Sequence, residues 1–229
     1  MNSFNKEQLL KDLHNWNSII KKYQIPSIKQ ATIQLANSFV FYVALLGLQI
    51  YLFDKSVWLS LAVAILNGFI LGRIFIIQHD CGHSSFTRSR KANDIIGTLC
   101  SICTLIPYKY WAKNHSFHHA HNGQLEFSDV GDIECLTTEA YAALPLAKRI
   151  WYRIYRNPLY LFTIGGFIYV VIYNRFGFLK TDYFKQVRRN VLISNIFFIA
   201  LYTLFAYLLG PGKFLVVQFV NLFFFGTYA

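Results

Sequence analysis

Six of the seven histidines in this 229-residue chain lie in two short clusters, each beside a long apolar stretch. The first cluster consists of His79 and His83, and the second of His115, His118, His119 and His121. Histidines three or four residues apart on an α-helix project from one face. Neutral imidazole is a common ligand of iron and zinc. The spacing therefore predicts two helical faces that hold metal between them.

Polar neighbours of the clusters could support such ligands. Asp80 directly follows the first histidine, where its carboxylate can accept a hydrogen bond from an imidazole N–H and fix the tautomer. His121 and Asp132 are further candidates for this supporting role. A zinc protease is a weaker alternative, because Asp80 and Cys81 follow His79 where the H-E-x-x-H motif has its glutamate.

The composition is that of a membrane protein. Hydrophobic residues make up 55% of the chain and charged residues only 14%, whereas soluble domains carry about 25% charged residues. The net charge of +11 does not indicate nucleic-acid binding, because the chain lacks the polar body of a soluble binder. It fits the lysine and arginine excess of cytoplasmic membrane loops.

Four apolar runs are long enough to cross a bilayer, which takes roughly 20 residues for about 30 Å. They lie near residues 31–53, 57–77, 191–210 and 213–229. Short turn sequences join them in pairs, and Gly210, Pro211 and Gly212 form the stronger of these turn signals. The sequence thus predicts an all-α integral membrane protein with two transmembrane hairpins.

Three other segments are predicted to contact the membrane without crossing it. Residues 95–108 are too short to span and suit an interfacial or re-entrant helix. Residues 157–174 carry positive charge on both flanks, which favours an embedded segment with both ends in the cytoplasm. Residues 1–30 are predicted to form a cytoplasmic N-terminal region with an amphipathic helix.

The distribution of positive charge gives an orientation. With both termini and both histidine clusters in the cytoplasm, 19 of the 22 lysines and arginines lie on the cytoplasmic side. This is the asymmetry expected of membrane proteins. Both candidate ligand faces are then on the same side of the membrane.

Four sequence features resemble membrane fatty acid desaturases, in particular the bacterial Δ12 or omega-6 group. They are His-Asp-Cys-Gly-His with Ser84-Ser85-Phe86, His115-Ser116-Phe117-His118-His119, Asp129-Val130-Gly131-Asp132, and Arg153-x-x-Arg156-Asn157-Pro158. The first two are similar to the first and second histidine boxes of that family. The resemblance runs from about residue 35 to the end, in a single desaturase domain.

The resemblance implies a diiron enzyme of a bacterial inner membrane, with its histidine boxes on the cytoplasmic face. Two iron ions, with O₂ as co-substrate, would insert a cis double bond into a lipid-bound or carrier-bound acyl chain. Electrons would come from ferredoxin or a cytochrome b5-type donor. The iron ligands implied here are His79, His83, His115, His118 and His119.

The chain departs from the family pattern in one respect. Members carry a third box, H-x-x-H-H, but no histidine follows His121 here. We therefore expect a domain incomplete at its C-terminal end and inactive alone. A related diiron hydroxylase or ketolase, acting on lipid, alkane or carotenoid, remains an alternative. So does a membrane protein that keeps the fold without catalysis.

Overall fold

The computed structural model describes residues 15–16, 18, 20–21, 23–125, 133–176 and 182–228. Within these ranges all regular secondary structure is helical, so the prediction of an all-α protein is confirmed. The amphipathic helix predicted for the N-terminal region falls largely outside the described residues, and so does Asp132.

The first two long helices are joined by a short turn and pack on each other, and their crossing of a membrane as a hairpin stays a prediction. Helix α1 spans Ile28–Phe53 and helix α2 spans Val57–Gly82, with 26 residues in each. Each helix is therefore about 39 Å long, more than the hydrocarbon thickness of a bilayer. The Ser27 hydroxyl caps the start of α1 by accepting a hydrogen bond from the Gln30 backbone N–H at 3.4 Å. Both helices are long and apolar enough to cross a membrane.

Two shorter helices follow and meet at a sharp corner. Helix α3 spans Arg90–Thr104 and helix α4 spans Tyr108–His121. Leu105 ends α3 in the left-handed conformation, with φ of 59°, and Pro107 precedes the first residue of α4. The apolar segment predicted over 95–108 is thus split, because its last residues form this corner and open the next helix.

The middle of the chain is a series of short helical pieces. Helices α5 (Thr138–Ala143) and α6 (Leu146–Tyr155) come first. A helical turn (Pro158–Tyr160), a π-helical turn (Leu161–Gly165) and helix α7 (Gly166–Val171) then follow. A single 3₁₀ turn closes the series at Tyr173–Arg175. None of these pieces is among the candidate spans.

Two C-terminal helices follow, joined by a short turn, and the second transmembrane hairpin stays a prediction. Helix α8 spans Asp182–Leu209 and helix α9 spans Pro211–Tyr228. Gly210 makes the turn between them with a positive φ of 85°, a conformation that glycine adopts at little cost. The part of α8 from Phe184 to Leu209 is the third candidate span in the described residues, whereas the 18-residue α9 is not among the candidates.

Helix α9 runs parallel to α2. At its start the Lys213 ammonium is 2.6 Å from the Asp54 carboxylate, which lies in the turn before α2. At its end the Tyr228 ring stacks on Phe69 with centroids 3.8 Å apart. In between, a Cβ on Gly68 would lie 2.5 Å from Phe224 Cβ. The absence of a side chain at Gly68 lets the two helices approach closely.

Gly166 and Gly226 bring α7 and α9 into backbone contact. A Cβ on Gly226 would lie 2.7 Å from the Gly166 carbonyl carbon, and one on Gly166 would overlap the Gly226 carbonyl oxygen. Real Cβ atoms do not come this close to backbone. The crossing therefore requires glycine on both helices.

We predict that Gly166→Ala destabilises the protein by about 1–3 kcal/mol, because the new methyl group must push the two backbones apart. The midpoint of thermal unfolding in detergent measures the effect. Gly47→Ala in α1 is the matched control, since a Cβ there meets nothing within 4 Å. Equal midpoints for the two variants would contradict the crossing.

Candidate metal centre

The last turn of α2 presents two histidines on one face. The helix continues through Gly82 with His83 as its C-terminal cap, beyond the end of the apolar run. His79 and His83 are one turn apart, and their Nε2 atoms are 3.3 Å from each other. The predicted shared face of this pair is confirmed.

Helix α4 supplies two more imidazoles to the same point. His115 Nε2 lies 3.0 Å from His79 Nε2 and 3.1 Å from His83 Nε2. His119 Nε2 lies 3.0 Å from His115 Nε2. One ligand atom from each of these four histidines falls within 4.8 Å of all the others. We call this group the histidine cluster.

A buried amide holds α4 in place against α2. Gln78 is fully buried, and its Nε2 donates to the Ile106 carbonyl at 3.0 Å. Its Oε1 accepts from the Thr104 hydroxyl at 2.7 Å. Both partners belong to the corner between α3 and α4. The residue before the first ligand therefore fixes where α4 begins.

Tyr108 makes a second connection between the same elements. Its hydroxyl donates to the Cys81 carbonyl near the end of α2 at 2.9 Å. Its ring lies directly over Gly97 of α3, where any side chain would overlap it. The two contacts place the first turn of α4 beside the ligand-bearing turn of α2.

Trp111 forms one wall of the histidine cluster. Its ring stacks on His115 with centroids 4.7 Å apart and an interplanar angle of 16°. A Cβ on Gly82 would lie only 3.2 Å from the Trp111 ring, so glycine at this position leaves room for the indole. The stacking restricts rotation of the His115 ring.

Asp80 contacts the ring of His79, and its supporting role at a metal site stays a prediction. His79 Nδ1 is 3.1 Å from the Asp80 carboxylate. When Nδ1 carries the proton and donates it to this carboxylate, the lone pair is on Nε2, the atom that faces the cluster. Such a carboxylate contact fixes tautomer and ring direction in metal-binding histidines.

Two of the other predicted site residues, His118 and His121, lie outside the group of four. The His118 ring centre is 6.0 Å from that of His115 and 5.6 Å from that of His119. His121 Nδ1 is 2.9 Å from the Phe117 carbonyl, and its ring stacks on Phe117. Metal binding by His118 and a supporting role for His121 and Asp132 stay predictions.

The cluster favours neutral imidazoles. Burial first, and then the neighbouring imidazoles with His79 the largest among them, together lower the pKa of His115 to about 4. Burial and then His79 also lower the pKa of His83. Neutral imidazole is the form that binds metal, because coordination requires a free lone pair.

The geometry fits one transition-metal ion. Four nitrogen donors around an ion with bonds of about 2.0–2.1 Å are separated by roughly 3.0–3.4 Å. Four of the six Nε2 separations in the cluster are 3.0–3.3 Å, and all four rings offer a nitrogen within 4.8 Å of the others. An all-imidazole set suits iron or zinc and not magnesium or calcium, which prefer oxygen. The group is therefore a candidate site for a single ion.

The contacts that position the cluster are the ones sequence reasoning missed. Gln78, Thr104 and Tyr108 appeared only as members of apolar or connecting segments. The sequence does contain one signal for these contacts, the glutamine at the end of an apolar span. A buried amide without hydrogen-bond partners is costly, so such a residue predicts polar partners nearby.

Comparison with known proteins places this arrangement in a family. The family model described as fatty acid desaturase matches residues 56–229. The chain belongs to the fatty acid desaturase family. Members of this family are oxidoreductases, and the segment matched includes every histidine of the cluster. No solved structure matches the chain.

Three curated relatives show the extent of the similarity. A fatty acid desaturase of Bacillus subtilis is 37% identical over 193 residues, covering 84% of this chain and 54% of that protein. An sn-1 oleoyl-lipid 12-desaturase of Synechocystis is 33% identical over 104 residues, covering 45% and 29%. An sn-1 acyl-lipid omega-3 desaturase (ferredoxin) of Nostoc is 31% identical over 115 residues, covering 49% and 30%. The chain thus spans about half the length of the first relative and under a third of the other two.

We predict that His115→Ala abolishes tight metal binding, because His115 Nε2 contacts all of the other three imidazole nitrogens or their rings. Inductively coupled plasma mass spectrometry of the purified chain would show iron falling by about tenfold or more, since removal of a mere supporting contact already costs 10–100-fold in affinity. Ser116→Ala, at an exposed position on the same helix, is the matched control. Equal iron content in both variants would contradict the assignment.

The metal-free chain should lose stability in mild acid. The unfolded His115 imidazole has a pKa of about 6.5, whereas the folded one has a pKa of about 4. Between these values the unfolded state binds more protons, so the free energy of unfolding falls as the pH drops from about 6.5 to about 4. Chemical unfolding at several pH values with a chelator present measures this. The fall should be smaller in His115→Gln, and an identical pH dependence would contradict the assignment.

Proposed function

We propose that the protein is a fatty acid desaturase that inserts a cis double bond into a lipid-bound acyl chain, using two irons and O₂. The observation that carries the proposal is the convergence of four imidazole Nε2 atoms within 4.8 Å. Membership of the fatty acid desaturase family supports the reaction class. The relatives named as sn-1 acyl-lipid enzymes support a lipid-linked substrate.

The residues of the cluster have defined tasks in this proposal. His79, His83, His115 and His119 bind one iron through Nε2. His118, on the same helix, is a ligand of the second iron. Asp80 and Trp111 hold two of the rings in the orientation that coordination needs. A diiron centre, when bound, supplies an O₂-derived oxidant for an unactivated C–H bond, which no amino-acid side chain can oxidise.

The position of the site suits an apolar substrate. Helix α2 is a candidate membrane span, and its last turn carries the first two ligands. An acyl chain in the bilayer would reach the ligands from the membrane side without leaving the hydrocarbon core. The Trp111 ring and the apolar part of α2 would exclude water from that approach.

In the proposed topology four helices cross a bacterial inner membrane, with the histidine cluster on the cytoplasmic face. Helix α9 is the fourth span. Its start is tied to the α1–α2 turn by the Lys213–Asp54 ion pair. Because it runs parallel to α2, its end points towards the side that carries the histidines.

The reaction also needs a reductant. Removal of two hydrogens from the acyl chain accounts for two of the four electrons that convert O₂ to two waters, and a donor must provide the other two. We propose a small acidic carrier, ferredoxin or a cytochrome b5-type protein. Exposed Arg88, Arg90 and Lys91 follow the first ligand pair closely along the chain and would attract such a carrier.

Replacement of His115 by alanine at the chromosomal gene tests the function in the organism that carries it. We expect one class of double bond to disappear from the membrane acyl chains, measured by gas chromatography, while the protein stays at its normal level. Ser116→Ala, at an exposed position of the same helix, is the matched control and should leave the acyl composition unchanged. Loss of a hydroxylated or oxo product instead would favour the hydroxylase or ketolase alternative. An unchanged lipid profile would contradict the proposal and favour a non-catalytic membrane protein.

A further inference from the structure

Helix α6 has the pattern of a helix that lies in a membrane surface. Its apolar residues share one side, and they are exposed: Leu146 by 67%, Ile150 by 50%, Trp151 by 57% and Ile154 by 46%. Its basic and tyrosine residues occupy the opposite side. In a chain with candidate spans, such a helix places its apolar side among the acyl chains and its polar side at the level of the headgroups.

The polar side of α6 borders an open pocket of about 380 Å³. Tyr141 of α5 and Tyr152, Arg153 and Arg156 of α6 line it. Both arginines belong to the Arg-x-x-Arg-Asn-Pro sequence, which the metal site does not use. We call these four residues the arginine–tyrosine pocket.

Each arginine in the pocket is held by neighbouring groups. The Arg153 Nε donates to the Tyr141 hydroxyl at 2.6 Å, and its guanidinium carbon lies 5.7 Å from the Tyr141 ring centre. The Arg156 Nη1 donates to the Glu134 carbonyl at 2.8 Å, and its guanidinium carbon lies 5.6 Å from the Tyr152 ring centre. Aromatic stacking and these hydrogen bonds reduce the entropy lost when a ligand binds.

The two guanidinium groups keep donors available. Each guanidinium has five N–H donors, and the bonds above engage only part of them. Among the described residues no carboxylate forms an ion pair with either group. Two adjacent cations that form no ion pair with a described carboxylate suit an anion with several oxygens, such as a phosphate.

We propose that the arginine–tyrosine pocket binds the phosphate of a membrane phospholipid and seats α6 on the bilayer surface. The apolar side of α6 favours a lipid phosphate over a soluble phosphate as the ligand. A helix that inserts this side into the bilayer holds the pocket at the depth of the lipid phosphates. The exposed Leu159 and Phe162, at 79% and 64%, extend the apolar surface beyond the helix. The proposal depends on the membrane location and not on the desaturase reaction.

Native mass spectrometry of the detergent-purified chain tests the proposal. Titration with dioleoylphosphatidylglycerol is compared with titration by dioleoylglycerol, which has the same acyl chains without the phosphate. We expect the first lipid to bind with an apparent Kd at least about tenfold lower, since one charge-assisted hydrogen bond is worth that factor. Equal binding of both lipids would overturn the proposal.

Variants show whether the pocket is responsible. Arg153→Gln with Arg156→Gln should raise the apparent Kd for the phospholipid about tenfold or more. Lys148→Gln with Lys185→Gln removes the same charge from exposed positions outside the pocket and should leave the Kd nearly unchanged. Equal effects of the two double variants would overturn the proposal in favour of general charge attraction.

Two further arms complete the test. Arg153→Lys with Arg156→Lys keeps the charge but loses the planar fork, and it should weaken binding by an intermediate factor. If the glutamine double variant does not fold, the lysine double variant still tests whether the guanidinium groups are needed for binding. Glycerol 3-phosphate, added in excess, should not displace the lipid. Displacement would overturn the lipid assignment and indicate a site for a soluble phosphate.

Discussion

The hydrogen bonds of the Gln78 side chain determine how the two halves of the histidine cluster meet. Two of the four histidines follow this residue on α2, and the other two are on α4, which begins four residues after Thr104 and so depends on the corner that Gln78 binds. The amide is fully buried, where an unmade hydrogen bond costs about 1–3 kcal/mol. Alternative positions of the corner therefore leave both the amide and the Ile106 carbonyl without partners. The distance between the two histidine pairs depends on these two hydrogen bonds and on the Tyr108–Cys81 bond beside them.

The position of α4 beside the cluster also depends on glycines in the neighbouring helices. The Trp111 ring packs against Gly82 and the Tyr108 ring packs against Gly97. The aromatic side chains of α4 therefore occupy the space that side chains at these two glycines would fill. On the other face of α4, Tyr110 and Phe117 pack on Phe184 at the beginning of α8. The ligand helix is thus enclosed between the end of one membrane helix and the beginning of another. Polar ligands at a membrane boundary obtain a rigid frame in this way.

Much of this arrangement could be predicted from the sequence, because it follows from periodicity and charge. The spacing of His79 and His83 required only that α2 continue past its apolar part, and the turn signal at Gly210 located the second hairpin. The early start of α8 could not be predicted, because Lys185, Arg188 and Arg189 interrupt the apolar pattern while the helix continues through them. The Gln78 and Tyr108 contacts join residues 26–28 positions apart. Local patterns do not specify such pairs.

Chain order in the histidine cluster has a consequence for biosynthesis. All four converging imidazoles come from residues 79–119, and the contacts that align them come from the same segment or its immediate flanks. During translation this segment is complete before α8 and α9 have been made. The segment from α2 to α4 therefore contains all four histidines of the cluster while the ribosome is still producing the rest of the chain. Assembly of the histidine cluster and insertion of the later helices are separable in time.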